Sequence, residues 1–445
     1  MTVPVGRPVL LVGEIIVDFT TAKKDIDCKL RLGGIVHAAR GLWACDLPYS
    51  VAAVVPRYLV SQAKAYLQAH GCTEFIWLGE VVGAPNVIII GDPTEVTDQG
   101  YEDILRNEKF VSVFDVHGTL SSYTEVLVFP GIFDLSILID LFDEGVRISF
   151  DIAYDVDDFG KLQQFKGHLG AIIISTSSPL FLKYGANSVE LLVDRIRQLD
   201  ADILLLKENR GGSRLFDLRT GSVENIPATL SKTVNSVGVG DVYSAVMVGA
   251  NKDSWVDAAW RGASAATIYS KTTFPDDFRR DTRRQLALSV DELRSLNGTI
   301  VPWHDRQRYS IYLAAPDFSY LHKPEVDLAI SALEYHNFLV RRPVIENGEL
   351  PPESNDTTLR KTYAADVRLL EECSIVFAIP LERDPGTLIE MGMAMAVGKP
   401  VVTFDPRRQN GNTMVIGGSI SYSDDLDVSL NALFAAMSGL CREPR

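Results

Sequence analysis

The chain has 445 residues, of which 46% are hydrophobic and 23% charged, a balance typical of folded globular proteins and not of disordered or fibrous ones. A single core seldom grows beyond about 250–300 residues, so the length predicts two domains. The formal net charge of -15, from 58 acidic and 43 basic side chains, disfavours nucleic acid and anionic membranes as partners.

The cysteine content and the N-terminal residues favour a reduced compartment. Five cysteines are an odd number, and they lack metal-type spacing, which argues against a disulfide framework and a zinc site. The run MTVPVGRPVLLVGEIIVDF lacks the basic start and small-residue cleavage site of a secretory signal. No stretch approaches the roughly 18–20 apolar residues of a membrane span. We therefore expect a cytoplasmic protein and assign no metal ligands.

The first part of the chain alternates strand-like and helix-like patterns. Apolar runs typical of buried strands are PVLLVGEIIVDF, YSVAAVV, NVIIIG, EVLVFPG, RISFDIA, AIIIST and DILLLKEN. Helical patterns lie between several of them. The alternation predicts an α/β domain over residues 1–295, in which helices cover both faces of an open sheet.

A glycine-rich turn enters a helix near residue 240, in the segment Asn235–Asp241. Backbone N–H groups of such a turn can hold the charge on a transferred phosphoryl group, and the carboxylate of Asp241 can take a proton from an attacking hydroxyl. The turn is not a P-loop, because the sequence has no GxxxxGK[ST] there.

With Asp18 after the first strand, the pair Gly33 and Gly34, and the run Lys207–Gly212, this turn resembles the ribokinase-like (PfkB) carbohydrate and nucleoside kinase family over about 8–290. The resemblance implies ATP and Mg²⁺ as cofactors, a β lid from 19–32 with part of 84–115, and Asp241 as catalytic base. It further implies a substrate site of Asp18, Gly33, Gly34 and His37, and an anion hole and ATP site of Asn235, Gly238, Val239, Gly240, Lys207 and Gly212.

Several positions depart from the pattern of that family. Asn235 replaces the usual Asp, Val239 an Ala, and His37 an Asn. We expect His37 to be a pocket-lining or satisfied core residue and not a base. The Asn-x-x-Glu motif that organises Mg²⁺ is replaced by Thr176–Pro179. Phosphoryl transfer needs the metal to offset charge. The domain is accordingly either an ATP-dependent kinase, with full or impaired activity, or a non-catalytic sensor of nucleosides or nucleotides.

Residues 296–308, LNGTIVPWHDRQR, have no clear period and are the predicted linker. A second, smaller α/β domain of the flavodoxin-like or Rossmann-like kind is predicted over 309–445. Within it, SIVFAIP and KPVVTF are strands, and GTLIEMGMAMAVG is the helix between them, which together predict a βαβ crossover.

The start of that helix carries two carboxylates. Asp384 follows the strand and Glu390 is expected in the first turn of the helix. Ligands of open α/β sheets bind at such loops, and helix N-termini favour anions, so Glu390 is expected to be ionised at pH 7. An ionised carboxylate beside a sugar is a nucleophile. Small residues at 392, 394 and 396 are expected to bring the helix close to the sheet.

Together with Tyr312 in IYLAAPDF and Asp366 in YAADVRLLEE, these residues resemble the nucleoside 2-deoxyribosyltransferase family over about 310–425. The resemblance implies that Glu390 attacks the anomeric carbon and that Tyr312 orients it. It also implies that Asp366 and Asp384 bind sugar hydroxyls and handle the proton on the base. No cofactor is implied for this domain.

The two resemblances predict an enzyme of nucleoside or nucleotide metabolism. The partners expected are nucleosides, nucleotides or pentoses and a second copy of the chain. In one hypothesis, both domains are enzymes that act on a shared sugar. In the other, the first domain is a sensor that regulates an N-glycoside hydrolase. Whether the second domain transfers or hydrolyses the glycosyl group stays open, because one nucleophile serves both reactions.

Overall fold

A computed structural model of the chain describes residues 8–22, 27–116, 118–252, 254–351 and 353–442. They divide into a first unit, made of the chain up to Thr94 with Gln99–Thr229 and Thr233–Ile300, and a second unit, made of Glu95–Asp98, Leu230–Lys232 and the chain from Val301. The division after Ile300 lies inside the predicted linker, whose bounds stay a prediction.

The first unit contains strands and helices in alternation. Its strands are β1 (Val9–Thr20), β2 (Lys29–Gly34), β3 (Tyr49–Val54), β4 (Cys72–Val82), β5 (Val87–Ile90), β6 (Tyr101–Asp103), β7 (Phe110–Val113), β8 (Glu125–Val128), β9 (Arg147–Ile152), β10 (Leu169–Ser175), β11 (Ile203–Lys207), β12 (Ser213–Asp217) and β13 (Val223–Ile226). Its helices are α1 (Ile35–Ala44), α2 (Val60–Ala69), α3 (Gly160–Gln163), α4 (Pro179–Tyr184), α5 (Val189–Arg197), α6 (Val239–Ala250), α7 (Trp255–Tyr269), α8 (Pro275–Leu286) and α9 (Val290–Ser295).

The sheet of the first unit has the order β13-β12-β11-β10-β9-β8-β1-β3-β4-β7. The strands from β11 to β4 are parallel, and antiparallel strands flank them on both sides. In β3 every residue is buried, as expected where helices cover both faces of a parallel sheet. The α/β class predicted from the alternating apolar runs is confirmed.

Strand β1 belongs to two layers. From Val9 to Glu14 it pairs with β3, and from Ile15 it pairs with β2, then with β5 from Val17. Strands β2, β5 and β6 thus form a small β layer on the end of β1, in the region predicted as the lid. Residues 23–26 of the predicted lid lie outside the described residues.

The second unit contains strands β14 (Ser310–Ala314), β15 (Leu339–Arg341), β16 (Ile375–Ala378), β17 (Val401–Phe404) and β18 (Ser421–Ser423). Its helices are α10 (Pro324–Tyr335), α11 (Pro343–Asn347), α12 (Asp356–Glu372), α13 (Pro385–Ala396), α14 (Thr413–Gly418) and α15 (Leu426–Arg442). All neighbouring strands are parallel, in the order β15-β14-β16-β17-β18. This order is the flavodoxin-like one, which confirms the predicted fold of this part.

Alternate residues of the central strands point to opposite faces of the second sheet. Ile311 and Leu313 join a core with α10 and α15, whereas Tyr312 and Ala314 join a core with α12 and α13. Because side chains alternate along a strand, Tyr312 has to lie on the same face as α13. That placement sets the geometry of the candidate site.

The predicted linker is partly folded. Residues Trp303–Arg308 form a 3₁₀ turn, in which the Arg306 side chain is fully buried. Its guanidinium donates to the carbonyl oxygens of Val301 and His336 at 3.1 and 3.0 Å and lies over the rings of Trp303 and Phe434. Arg306 is therefore a core residue of the second unit, although it lies in a charged run of the sequence.

No helix within the described ranges is both long and apolar enough to span a membrane.

We expect Arg306→Ala to lower the free energy of unfolding of the second unit by about 3 kcal/mol, because two buried carbonyl groups lose their donor and a cavity opens. Arg308→Ala is the matched control, since Arg308 is exposed and pairs only with Asp305 among the described contacts. Urea unfolding monitored by circular dichroism measures both variants. Equal midpoints for Arg306→Ala and Arg308→Ala would contradict the structural role of Arg306.

Candidate active site

The candidate site of the second unit lies where the strand order reverses, at the C-terminal ends of β14 and β16. In open α/β sheets this crevice is where ligands bind. Tyr312 comes from β14, and Asp384 and Glu390 follow β16. Asp366 lies on α12, which packs on the same face. All four predicted residues therefore belong to one face and one edge of the sheet.

A hydrogen bond joins Tyr312 to Glu390. The Tyr312 hydroxyl donates to Oε1 of Glu390 at 2.6 Å, and the Tyr312 residue is fully buried. Burial, followed by the charge of Glu390, raises the pKa of Tyr312, so the phenol stays protonated and acts as a donor at any physiological pH. The contact fixes one oxygen of the carboxylate, and the predicted role of Tyr312 in orienting Glu390 stays a prediction with this support.

Two expectations about Glu390 are wrong. It is the sixth residue of α13, in the second helical turn, and not in the first. It is also not simply ionised at pH 7, because burial raises its pKa from 4.5 to about 7. The hydrogen bond from Tyr312 lowers that pKa, whereas the charges of Asp366 and Asp384 raise it further. Near neutral pH the carboxyl group is thus divided between a nucleophilic and a protonated form.

Asp384 is the residue that begins the helix. Its Oδ2 accepts from the backbone N–H of Thr387 at 2.7 Å and from the Thr387 hydroxyl at 2.8 Å. This is an N-cap, which satisfies otherwise orphan donors of the first turn and fixes where α13 begins. The role in catalysis predicted for Asp384 remains a prediction beside this structural one.

Asp366 is held by a residue that the sequence reading missed. The Asn347 amide, at the end of α11, donates to Oδ1 of Asp366 at 2.8 Å. Burial raises the pKa of Asp366, and this hydrogen bond opposes the rise. Asn347 lies 19 residues before Asp366 in the sequence. No short sequence motif spans that distance, so the contact could not be predicted from the sequence.

The three small residues of α13 were expected to bring the helix close to the sheet, but only one of them faces it. Ala394 and Met391 are buried against the sheet, but Gly392 and Ala396 are exposed. A methyl group at Gly392 would meet nothing within 4 Å. Only one of the three small residues therefore serves close packing.

The glycine turn of the first unit begins α6. Gly238 has a left-handed backbone and N-caps the helix, Val239 is its first residue, and Val239 packs partly on the core. Beneath Gly240 lies the ammonium of Lys207, at 3.0 Å from the position that a Cβ would take. The turn therefore combines the N-terminus of a helix with a nearby cation, which suits a phosphate group.

Lys207 is held by partners that sequence reasoning did not find. Its ammonium donates to both carboxylate oxygens of the buried Asp151 at 2.9 Å. The Ser244 hydroxyl also donates to Asp151, at 2.6 Å. Asp151 is the last residue but one of β9 and Ser244 lies on α6, so the network ties the turn to the sheet.

Asp241 carries a perturbed carboxyl group. Burial and then the charge of Asp151 raise its pKa from 3.8 to about 7, and Lys207 lowers it. A general base is most effective when its pKa lies near the working pH. The predicted role of Asp241 as base remains a prediction with this support.

The predicted substrate residues form a closed network. His37 Nε2 lies 2.8 Å from Asp18 Oδ2, and His37 Nδ1 lies 2.7 Å from the Tyr269 hydroxyl. Burial lowers the pKa of His37 to about 4, so at neutral pH the ring is an uncharged donor to Asp18. His37 is thus buried with both ring nitrogens hydrogen-bonded, and its predicted place in a substrate site stays a prediction. Although burial opposes ionisation of Asp18, its neighbours, first His37 and then Arg31, hold its pKa below 3.8.

Glycines crowd the same network. A Cβ at Gly33 would lie 2.0 Å from Asp18 Oδ1, and one at Gly238 would lie 2.1 Å from the His37 ring. Gly34 has a φ of +61° where β2 enters α1. Each glycine therefore has a packing reason in addition to any ligand contact.

Arg31, on β2, was not predicted from the sequence. Its guanidinium donates to the Val237 carbonyl at 3.2 Å and, with the Asn235 amide oxygen turned toward it, to Asn235 at 2.5 and 2.7 Å. It also lies 3.5 Å from Asp18. Arg31 thus links the small β layer to the glycine turn.

Gly212, with φ +91°, would meet the Ile226 carbonyl at 2.6 Å if it had a Cβ, which gives it a structural function in the turn before β12.

The residues around the turn fit a phosphate group better than they fit Mg²⁺. At the position of the expected Asn-x-x-Glu motif, the Ser178 hydroxyl caps α4 and no carboxylate is present. The nearby Asp151 is already neutralised by Lys207. Within the described ranges, no group of three His, Cys, Asp or Glu side chains could hold a metal.

Comparison with protein families places these residues in context. Residues 311–430 match the family model described as nucleoside 2-deoxyribosyltransferase, and the match includes Tyr312, Asp366, Asp384 and Glu390. This confirms the resemblance predicted for the C-terminal part of the chain. A search of curated proteins returned no significant match.

Similar solved structures include ribokinases and a nucleoside kinase. Ribokinase from Giardia lamblia is 13% identical, with a TM-score of 0.47, and the match covers 63% of this chain and 99% of that chain. Ribokinase from Arabidopsis thaliana, complexed with ribose and ATP, is 14% identical with a TM-score of 0.45 and the same coverage. The nucleoside kinase from Methanocaldococcus jannaschii is 13% identical with a TM-score of 0.44, also with the same coverage. At this similarity none of them assigns a role to a residue here.

We expect Glu390→Gln to stabilise the protein at about pH 8 and to leave stability nearly unchanged at about pH 4. The raised pKa means that the folded state binds the proton more tightly, so ionisation opposes folding above pH 4.5 and the penalty is complete above about 7. The gain is at most about 3.5 kcal/mol, because each pKa unit corresponds to about 1.4 kcal/mol.

Thermal unfolding at both pH values measures this difference. Glu371→Gln, at an exposed position on α12, is the matched control. Its melting temperature should differ from that of the wild type by the same amount at both pH values. A Glu390→Gln melting temperature that did not rise relative to the wild type between the two pH values would contradict the buried state of this carboxyl.

Proposed function

We propose that the second unit makes or breaks the N-glycosidic bond of a nucleoside or deoxynucleoside through a covalent intermediate on Glu390. The observation that carries the proposal is the 2.6 Å hydrogen bond from Tyr312 to Glu390, in the segment that matches the deoxyribosyltransferase model. On this proposal the chain is an enzyme of nucleoside or nucleotide metabolism.

The first step needs the ionised form of Glu390. Its free oxygen, Oε2, attacks the anomeric carbon while Tyr312 holds Oε1, so the carbon–oxygen bond forms as the bond to the base nitrogen breaks. The bonding electrons leave with the base, which takes a proton. Asp366 suits proton donation because burial raises its pKa. Asp384 is the other proposed contact for the sugar hydroxyls and the proton of the base.

The second step releases the sugar from Glu390. Another base, or water, attacks the anomeric carbon, the ester bond to Glu390 breaks, and the carboxylate is restored. Transfer and hydrolysis share every protein group in this sequence. The acceptor alone distinguishes them, so both remain part of the proposal.

For the first unit we propose binding of ATP with its phosphates at the turn Gly238–Gly240 and transfer to a sugar or nucleoside hydroxyl with Asp241 as base. The support is the position of the turn at the start of α6, above Lys207, and the pKa of Asp241 near 7. Asn235, a predicted ATP contact, is joined to this part of the chain by the Arg31 guanidinium, which also donates to the Val237 carbonyl. Gly212 stays a predicted ATP contact.

A non-catalytic sensor is the second candidate for this unit, and a specific observation favours it. The segment Thr176–Pro179 provides a helix cap where the kinase family has its Mg²⁺-organising carboxylate. The protein would then hold a nucleotide or nucleoside without rapid phosphoryl transfer.

We expect the wild type to form a mass adduct of one (deoxy)ribosyl group when mixed with nucleosides and quenched in acid. Glu390→Gln should lack the adduct and lose turnover by about 10³-fold or more, since the nucleophile is removed. Glu371→Gln on the same face of the unit is the control and should keep both. Intact-protein mass spectrometry and chromatography of released bases measure the two effects. Near-normal turnover by Glu390→Gln would rule out the covalent route.

We expect Asp241→Asn to reduce any ATP-dependent phosphorylation by about 10²-fold or more, because a positioned base is lost, while ligand binding survives. Asp194→Asn, exposed on α5, is the control. Phosphorylation of nucleosides and pentoses with ATP and Mg²⁺ is followed by mass spectrometry. Phosphorylation lost in Asp241→Asn supports the kinase, binding without phosphorylation in the wild type supports the sensor, and absence of all binding contradicts both.

A further inference from the structure

Lys207 is a cation placed directly beneath the glycine turn of the first unit. It is the last residue of β11, and its Nζ lies 3.0 Å from the position that a Cβ of Gly240 would take. The Lys207 side chain is 13% exposed, and Gly238, Val239 and Gly240 are all partly exposed. The ammonium is therefore near the surface of the turn and not sealed in the core.

The Lys207 ammonium has one donor to spare. An ammonium group has three N–H donors, and Asp151 accepts two hydrogen bonds from it, one at each carboxylate oxygen, at 2.9 Å. The other contacts, with the Ser244 hydroxyl at 3.3 Å and the Gly240 carbonyl at 3.4 Å, are longer than ordinary N–H···O hydrogen bonds. A phosphate oxygen at the turn can therefore accept the third N–H without breaking the contact with Asp151.

The same pair closes Asp151 to a metal ion. The Asp151 side chain is 3% exposed, both of its oxygens accept from Lys207, and Oδ2 also accepts from the Ser244 hydroxyl at 2.6 Å. Mg²⁺ requires oxygen ligands at about 2.0–2.1 Å in near-octahedral geometry. It would have to displace the ammonium to reach these oxygens. Lys207 therefore already holds the position of a cation at Asp151.

Asp241, in the first turn of α6, is a second carboxyl group beside the turn. The charges of Lys207 and Asp151 both act on it, so the three groups lie close together. A Mg²⁺ ion at Asp241 would be repelled by the Lys207 ammonium. After β10, the segment Thr176–Pro179 has hydroxyl groups and a proline but no carboxylate. The residues described around the turn therefore do not fit Mg²⁺, although they fit an anion.

We propose that Lys207 replaces the metal ion in the first unit, and that the turn Gly238–Gly240 binds the phosphates of a nucleotide free of Mg²⁺. The inference rests on the proposed nucleotide binding at this turn and adds which ionic form of the ligand is bound. It concerns binding alone and includes no transfer step. Free Mg²⁺ competes with Lys207 for the phosphate oxygens, because each cation is attracted to the same negative charge. Mg²⁺ should thus weaken binding or leave it unchanged.

Isothermal titration calorimetry of the full chain with ATP tests the inference, once in EDTA and once in excess MgCl₂ at the same ionic strength. We expect the dissociation constant in EDTA to equal or fall below that in MgCl₂, because the fixed ammonium supplies the charge that a metal would bring. This comparison uses the unmodified chain and so does not depend on how a variant folds. Tighter binding in MgCl₂ than in EDTA would overturn the inference.

Removal of the ammonium should reverse the effect of the metal. Lys207→Gln should weaken ATP binding in EDTA by about tenfold or more, since a charge-assisted hydrogen bond is lost. MgCl₂ should then tighten binding to this variant, because the Asp151 carboxylate becomes available to the metal. The double variant Lys207→Gln with Asp151→Asn leaves neither charge of the pair, and it should bind weakly in both buffers. Lys166→Gln, at an exposed position before the start of β10, is the control.

Circular dichroism checks that each variant is folded, and the double variant serves where Lys207→Gln alone is unstable. ATP binding that is weakened in Lys207→Gln, kept in Lys166→Gln and not tightened by MgCl₂ in the wild type would support the inference. Equal binding by all variants would overturn it, because ATP would then be bound elsewhere. Absence of ATP binding in both buffers would contradict the proposed nucleotide binding as well, whereas binding that requires MgCl₂ would contradict this inference alone.

Discussion

The hydrogen bond between Tyr312 and Glu390 is the contact on which the second unit depends. It requires that Tyr312 point to the face of β14 that α13 covers, and that Glu390 fall on the inner side of that helix. The Asp384 cap fixes where α13 begins and hence the rotation that brings its sixth residue inward. Strand register, helix cap and helix phase therefore act together to place one carboxylate, and a shift of one residue in any of them would separate the pair.

Burial is the common feature of the carboxyl groups that bear on function. Asp241 and Glu390 lie in the first two turns of their helices, and burial is the largest cause of a pKa near 7 in each. When the folded environment raises the pKa of a carboxyl group, ionisation of that group at higher pH lowers the free energy of unfolding. Its retention is typical of sites where activity and stability conflict, and it distinguishes these groups from exposed carboxylates such as Glu371.

The sequence was informative wherever a property is local. Apolar runs marked the strands, and the order of elements in the second unit indicated the flavodoxin-like sheet. It failed where the property depends on contacts distant in the chain. Asn347 beside Asp366 and Asp151 beside Lys207 are brought together by the fold, and Arg306 resembled a linker residue because its neighbours are charged. Glu390 was placed one turn too early because the helix begins at a cap whose position only the structure defines.

Charge balance in the first unit bears on the choice between kinase and sensor. Lys207 is the cation that lowers the pKa of Asp241, yet it is already shared with Asp151. A bound phosphate would add negative charge beside Asp241 and raise its pKa further. Kinases relieve such charge with Mg²⁺, but the segment Thr176–Pro179 supplies a helix cap in place of the metal-organising carboxylate. On the present proposal, the turn above Lys207 is therefore better suited to hold a nucleotide than to keep Asp241 ionised for rapid transfer, which favours the sensor.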